Sequence, residues 1–362
     1  MNNSSHYAVI MAGGIGSRFW PMSRTSYPKQ FIDFLGVGKT LLQLTFERLK
    51  NIVPENHIFI VTNSEYETLV KTQLPTLNNE QILLEPSRKN TAPCIAYATY
   101  KISLLNKNAC VLIAPSDHLI LKETVFCEMA KKAMNYCNKN QSLLTFGITP
   151  TRPDTGYGYI QFDDKDSSYS SEIKKVKTFT EKPNLELAKV FIENGDFVWN
   201  SGMFIWNVQT VISALEKYMP ELANQFNEHL PSFLENEKEA IASIYHECKS
   251  ISIDYGIMEK ADNVFVISAD IGWSDLGTWG SIYTHLPHDE NKNALISKKI
   301  LLYESTNCIV NIPKNKLCVI QGLDNYIVVD TKEVLLICKK DDEQKIKDFV
   351  NDIKLKKWDK YL

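Results

Sequence analysis

The run Ala12-Gly13-Gly14-Ile15-Gly16-Ser17-Arg18-Phe19-Trp20-Pro21-Met22-Ser23-Arg24 leads on to Pro28-Lys29-Gln30. Glycines placed directly after an apolar stretch let backbone N–H groups approach phosphate oxygens with no Cβ in the way. Arg18, Arg24 and Lys29 follow closely and form a dense set of cations. The loop has no Gly-Lys-Ser/Thr, so it is no Walker A motif. Phe19 stands where a dinucleotide fingerprint needs glycine. The arrangement suits a polyphosphate spread along the loop. The plainer alternative is a tight turn carrying surface charge.

Other candidates lie downstream. Asp117 follows an apolar run, where a carboxylate can hold a hard cation through oxygen or merely cap a helix. Asp275 sits between Trp273 and Trp279, and spacing alone does not join it to Asp117. Glu181 and Lys182 precede Pro183. The carboxylate can accept from ligand hydroxyls and the ammonium can neutralise an anion, or the two can form an exposed ion pair. Gly156 and Gly158, with Tyr157 and Tyr159, either let backbone approach a ligand or mark a bulged strand. Asn200 both donates and accepts, as a hydroxyl ligand requires. Trp199, Phe204 and Trp206 read as core rather than as a ligand platform.

Positioning these residues requires a scaffold. Short apolar runs at 7–11, 57–61, 82–84, 109–114 and 143–146 read as buried strands. Helical patterns separate them. Leu42, Phe46 and Leu49 share one face, with Thr40 and Gln43 at capping-box spacing. Asn90 or Thr91 can cap a helix to about 105, and another runs from about 123 to 137. Strands alternating with helices predict right-handed crossovers and a mostly parallel sheet, whose ligands gather beyond the carboxyl ends of the strands. Residues 156–208 read as hairpins with a helix near 185–193. Residues 216–246 read as a polar, helix-rich surface excursion. Short strands at 300–303, 308–312, 317–320, 326–329 and 334–338 predict a small all-β unit, closed by a charged, solvated helix at 341–354. The boundary falls near 286, giving domains at 1–286 and 287–362.

The chain has 362 residues, 40 Lys+Arg against 43 Asp+Glu, and 44% hydrophobic residues, which is the make-up of a globular protein. A net charge of −3 argues against nucleic acid as the main partner. The N-terminus has no basic n-region, and no apolar stretch is long enough to span a bilayer, so neither signal peptide nor membrane partner is expected. Eight cysteines include no Cys-x-x-Cys pair and mostly sit in apolar runs, which predicts reduced thiols and a cytoplasmic protein.

The glycine–arginine run resembles the signature of sugar-nucleotide pyrophosphorylases, in the form typical of bacterial mannose-1-phosphate guanylyltransferases. Further segments fit that family in order. They are Glu85-Pro86-Ser87-Arg88-Lys89-Asn90-Thr91-Ala92-Pro93, Pro115-Ser116-Asp117-His118, Thr155-Gly156-Tyr157-Gly158-Tyr159-Ile160 and Glu181-Lys182-Pro183. Trp199-Asn200-Ser201-Gly202, Ser252-Ile253-Asp254-Tyr255-Gly256-Ile257-Met258-Glu259-Lys260 and Trp273-Ser274-Asp275-Leu276-Gly277-Thr278-Trp279 complete the set. The likeness covers roughly residues 7–340.

The resemblance implies an α/β fold, a Rossmann-like nucleotidyltransferase domain on a GT-A-like mixed sheet followed by a small left-handed β-helix. It implies the reaction of GTP with mannose 1-phosphate to give GDP-mannose and pyrophosphate. Gly13, Gly14, Gly16, Ser17, Arg18, Lys29, Glu85, Asn90 and Thr91 would bind nucleotide, with Arg88 and Lys89 as neighbouring cations. Gly158, Glu181, Lys182 and Asn200 would bind sugar phosphate. Asp117 and Asp275 would hold Mg²⁺, and these two with Arg18 and Lys29 would be the catalytic set. A non-catalytic nucleotide-sugar-binding protein and a GT-A-type glycosyltransferase are the alternatives. Relatives often pair, and the β-rich tail is a candidate homodimer contact. Some relatives carry an added isomerase domain; the short tail here predicts no isomerase activity.

Overall fold

Six-residue runs such as Ile58–Asn63, buried along their whole length, have no solvent face and must lie inside a covered sheet. The computed structural model describes residues 5–163 and 172–362. The readings that touch residues 1–4 and 164–171 lie, to that extent, outside the described residues. The chain forms two compact units. The first takes Met1–Gly13, Thr45–Ser116 and Ile120–Trp273, and the second Gly14–Leu44, Asp117–Leu119 and Ser274–Leu362. Neither unit is one continuous stretch of chain, because loops leaving the strands of the first contribute to the second.

The first unit is built on a nine-stranded sheet. Its strands are β1 His6–Met11, β2 Ile58–Asn63, β3 Ile82–Glu85, β4 Cys110–Pro115, β5 Leu143–Ile148, β6 Tyr159–Phe162, β7 Ile173–Thr180, β8 Phe197–Asn207 and β9 Val264–Ala269. The order is β3-β2-β1-β4-β8-β5-β9-β7-β6. Strands β3 to β4 are mutually parallel, as are β5 and β9. The sheet is therefore mixed, as the family resemblance implied, and not mostly parallel as strand–helix alternation alone predicted. One reason is β8, which runs antiparallel between β4 and β5; β7 likewise runs antiparallel to β9, and β6 antiparallel to β7. Chain order reverses between β1 and β4, where Met11 lies beside Pro115. Both strands end there, and crevices form at such switch points.

Helix α1, Thr91–Leu105, is buried on nearly every side. Helices α2 Val208–Tyr218, α3 Pro220–His229 and α4 Phe233–Glu247 cover it. Val211, Leu215, Leu222, Phe226, Ile241, Ile244 and Tyr245 are buried in the same core as Ile95, Tyr97 and Tyr100. The expected surface excursion at 216–246 is thus a core-forming layer. Its apolar residues recur at helical spacing beneath a polar outer face, so average polarity misrepresents it.

The second unit contains a parallel β-helix. Strands β10 Ala294–Leu295, β12 Ile309–Asn311 and β14 Tyr326–Asp330 stack as one sheet, and β11 Ile300–Tyr303 and β13 Cys318–Gln321 as another. Strand β15, Leu335–Lys339, closes the first sheet antiparallel. Helix α5, Ile346–Leu355, is not merely solvated as expected. Ile346 is buried in a cluster with Phe19, Trp20, Phe34, Trp279, Ile309, Ile327 and Val329. No helix among the described residues is long and apolar enough to cross a membrane.

Gly147 on β5 is closely packed by its neighbours. A Cβ there would lie 2.3 Å from Val198 Cγ2 and 2.6 Å from Val266 Cγ2. Gly147→Ala should lower the unfolding free energy by about 1–3 kcal/mol through overpacking, and adding Val198→Ala should recover part of the loss. Urea titrations of the single and double variants measure this. Simple additivity of the two losses would contradict the assigned contact.

Candidate active site

In the second unit the loop after Gly13 winds around a lysine. Gly16 is left-handed at φ 71°, and a Cβ there would lie 2.5 Å from Lys29 Cβ, so only glycine lets the loop pass so close. The Lys29 backbone N–H donates to Ile15 O at 3.3 Å. Its side chain is 4% exposed. The ammonium donates to Asp117 Oδ2 at 3.0 Å and to Asp275 O at 2.7 Å, which among the described residues leaves a third donor. Burial opposes the Asp117 charge, but the Lys29 ammonium, helped by His118, outweighs it and holds the carboxyl below its ordinary pKa. Asp275 Oδ1 accepts from Gly277 N at 2.9 Å. Leu276 between them has φ 44°, an uncommon conformation for leucine. Lys29, Asp117 and Asp275, from three distant stretches of chain, thus meet at one ammonium.

The two loop arginines differ. Arg24 is engaged at all three nitrogens, by Glu333 Oε2 at 2.6 Å, Thr331 Oγ1 at 3.3 Å and Pro21 O at 3.2 Å. It serves the β-helix contact, not the expected phosphate set. Arg18 donates through Nε to Gln344 Oε1 at 3.2 Å. Gly14 and Ser17 are exposed in the same loop. Among the described residues no group of three or more His, Cys, Asp or Glu could hold a metal. Asp117 and Asp275 each carry a hard carboxylate of the type that could hold Mg²⁺, an ion that characteristically takes one or two carboxylates and completes its shell with phosphate oxygens and water.

The remaining site residues lie in the first unit. Glu85 ends β3, is 5% exposed, and accepts from the Tyr245 hydroxyl at 2.8 Å. Its Oε2 would be 3.5 Å from a Cβ on Gly13. Burial pushes its pKa up to about 7, against the lowering effects of the Tyr245 bond and the Arg88 charge. Asn90, at φ 67°, caps α1 by accepting from Thr91 N at 2.8 Å. Thr91 Oγ1 accepts from Ile253 N at 2.9 Å, so both side chains have structural duties. Lys89 donates to Cys248 O at 3.1 Å, while Arg88 is held by Tyr66 and Glu65.

A second cluster joins Gly158, Glu181, Lys182 and Asn200. A Cβ on Gly158 would lie 2.6 Å from Glu181 Oε2, so this glycine admits the carboxylate. Gly158 O accepts from Asn200 N at 2.8 Å. The Lys182 ammonium pairs with Glu181, and Lys182 has φ 45°. Asn200 donates from Nδ2 to Asp254 Oδ1 at 2.7 Å. Burial, with Glu181 nearby, raises the Asp254 pKa despite that hydrogen bond. Trp199, Phe204 and Trp206 are core, as expected. Sequence reasoning missed Tyr245 and Asp254 as site residues. The motif containing Asp254 was visible; Tyr245 lay hidden in the supposed excursion.

The geometry can be set beside known proteins. A nucleotidyl transferase family model matches residues 7–292, and a MannoseP isomerase/GMP-like beta-helix domain matches 298–353. The chain is 35% identical over 358 residues to a mannose-1-phosphate guanylyltransferase of Escherichia coli, spanning 96% of this chain and 75% of that protein. It is 35% identical over 353 residues to the alginate biosynthesis protein AlgA of Pseudomonas aeruginosa, spanning 95% and 71%. The crystal structure of a mannose-1-phosphate geranyltransferase from Thermus thermophilus superposes with a TM-score of 0.85 at 27% identity, covering 97% of this chain and 99% of that one. A mannose-6-phosphate isomerase from Helicobacter pylori gives 0.59 at 27% identity, covering 75% and 99%. The expected order, a nucleotidyltransferase fold followed by a β-helix, is the order found. The chain belongs to the nucleotidyl transferase family, among its mannose-1-phosphate guanylyltransferase members.

Proposed function

We propose that the chain converts GTP and α-D-mannose 1-phosphate to GDP-mannose and pyrophosphate. The observation that carries this reading is the buried Lys29 ammonium bonded to Asp117 and Asp275 in a chain of guanylyltransferase kinship. A sugar phosphate is already anionic at neutral pH, so its oxygen attacks the α-phosphorus without a general base. The work left to the protein is to hold two repelling anions in line and to stabilise charge as pyrophosphate leaves.

In this reading Gly14, Gly16, Ser17 and Arg18 take the triphosphate, and Lys29 offers its third donor to the leaving group. Asp117 and Asp275 would hold Mg²⁺, which when bound supplies neutralising charge to the phosphates. Gly13, Glu85, Asn90 and Thr91 take the nucleoside; Glu85 accepts from the N1–H and N2 amine of guanine. Gly158, Glu181 and Asn200 take the sugar hydroxyls, Asp254 orients the Asn200 amide, and Lys182 takes the sugar phosphate. The free, mostly buried thiols and the use of GTP fit work in the cytoplasm.

Purified protein with Mg²⁺ and mannose 1-phosphate should release pyrophosphate from GTP. Adenine lacks the donors that Glu85 needs, and each stranded buried group costs about 1–3 kcal/mol, so GTP should exceed ATP about tenfold or more in kcat/KM. Equal use of both would sink the guanine assignment. Release of mannose 6-phosphate from fructose 6-phosphate, measured alongside, would instead favour an isomerase.

Lys182 is 60% exposed and can be removed without a core penalty. Lys182→Ala should raise KM for mannose 1-phosphate roughly tenfold to a hundredfold while leaving KM for GTP near its original value, because a charge-assisted bond is worth about 1.5–3 kcal/mol. A change confined to the GTP terms would show that the sugar phosphate binds elsewhere.

The raised Glu85 pKa has a defined sign. Between its ordinary value of 4.5 and about 7, the folded chain keeps a proton that the unfolded chain has lost. This contribution to stability is full below 4.5 and disappears as pH rises towards 7; it amounts to about 3 kcal/mol for an isolated site. Glu85→Gln should flatten that fall in stability. Guanine favours the ionised carboxylate, so GTP binding near pH 6.5 should expel more protons from the parent chain than from Glu85→Gln, the terminal phosphate contributing equally to both. Calorimetry in buffers of different ionisation enthalpy measures it. Equal proton release from both proteins would contradict the contact.

A further inference from the structure

We infer that Gln344 is a positioning residue for Arg18, and that through it the C-terminal segment aims the glycine–arginine loop at the triphosphate. This rests on the proposed placement of the GTP phosphates at Arg18. All the groups concerned belong to the second unit.

Arg24 spends all its nitrogens on protein partners, whereas Arg18 makes one side-chain hydrogen bond among the described residues, from Nε to Gln344 Oε1. A guanidinium is planar, and a bond at Nε fixes that plane while leaving the Nη1–Nη2 fork free. Such a fork matches two phosphate oxygens. The acceptor is neutral, and that suits the task. A carboxylate at 344 would hold the arginine equally well but would cancel the charge meant for phosphate. An amide orients the cation and leaves its charge intact.

The exposed Gln344 sits between anchored neighbours. Glu343 Oε2 accepts from Gly280 N at 2.8 Å, in the first turn of the helix Trp279–Tyr283 that follows Asp275. Two residues beyond Gln344, Ile346 is buried in the Phe19, Trp20 and Trp279 cluster. Further on, Tyr361 O accepts from Trp20 Nε1 at 2.7 Å. The tail therefore grips the loop at Arg18, Phe19 and Trp20 in succession, and grips the Asp275 segment at Gly280. A solvated tail helix would make none of these contacts.

The test is steady-state kinetics of the full chain carrying Gln344→Met, Arg18→Ala or both, each with its melting temperature. Methionine keeps the length and removes the acceptor. Gln344→Met should raise KM for GTP about threefold to tenfold, with KM for mannose 1-phosphate nearly unchanged and Tm within about 2 °C. The double variant should be no worse than Arg18→Ala, because Gln344 acts only through that arginine. If Arg18→Ala leaves the GTP terms untouched, the phosphate placement itself fails, and the inference with it. If Arg18→Ala is impaired while Gln344→Met behaves as the parent, or if the two losses multiply, the role of Gln344 alone is overturned.

Discussion

A lysine ammonium almost wholly withdrawn from water must be paired, because a buried unpaired charge costs several kcal/mol. Lys29 is such a group, and much of the second unit is arranged around it. It draws in the Asp117 carboxylate and the Asp275 carbonyl, so two loops far apart in sequence end at one point. The left-handed Gly16 lets the loop close over the Lys29 stem, and the ammonium lies 5.5 Å from the Phe19 ring centroid. Phe19 in turn packs against Phe34 and Trp279 at 4.8 and 5.4 Å, within the cluster that includes β-helix residues. Charge pairing, loop shape and apolar packing thus constrain one another.

In the proposed reading the first unit meets a different demand, which is to hold the nucleoside and the sugar phosphate. Its polar groups are oriented by one short segment, residues 251–254. Ile251 O accepts from Ala92 N, Ile253 N donates to Thr91 Oγ1, and Asp254 takes the Asn200 amide. The motifs proposed for nucleoside and for sugar therefore lean on the same piece of backbone. Asn90 and Lys182, both proposed to touch ligand, are at positive φ, and such conformations persist only where surroundings over-determine them.

Local patterns were legible in the residues, and contacts over long separations were not. Strands β1 to β5 fall within two residues of their expected limits, because buried runs flanked by turn residues have few other readings. The Thr40–Gln43 capping box is formed at 2.9 and 3.3 Å. Asn200, Glu181 and Gly158 come together as the ordered motifs implied. What periodicity does not carry is pairing across long separations. Nothing near Glu85 announces Tyr245, nothing near Arg24 announces Glu333, and nothing near Arg18 announces Gln344. The layer formed by α2, α3 and α4 was misjudged for a related reason. Its composition is polar on average, while its buried stripe is apolar.

The proposed chemistry rests on charge rather than on a protein nucleophile. Lys29, Arg18, Asp117 and Asp275 can neutralise, orient and hold, and the attacking atom belongs to the substrate. A single in-line displacement inverts the configuration at the α-phosphorus, whereas a covalent nucleotidyl-enzyme displaces twice and retains it. The most direct test is the stereochemical course with a single diastereomer of GTP bearing sulfur on its α-phosphate, read by phosphorus NMR of the sulfur-labelled GDP-mannose. The account requires inversion; retention would contradict it.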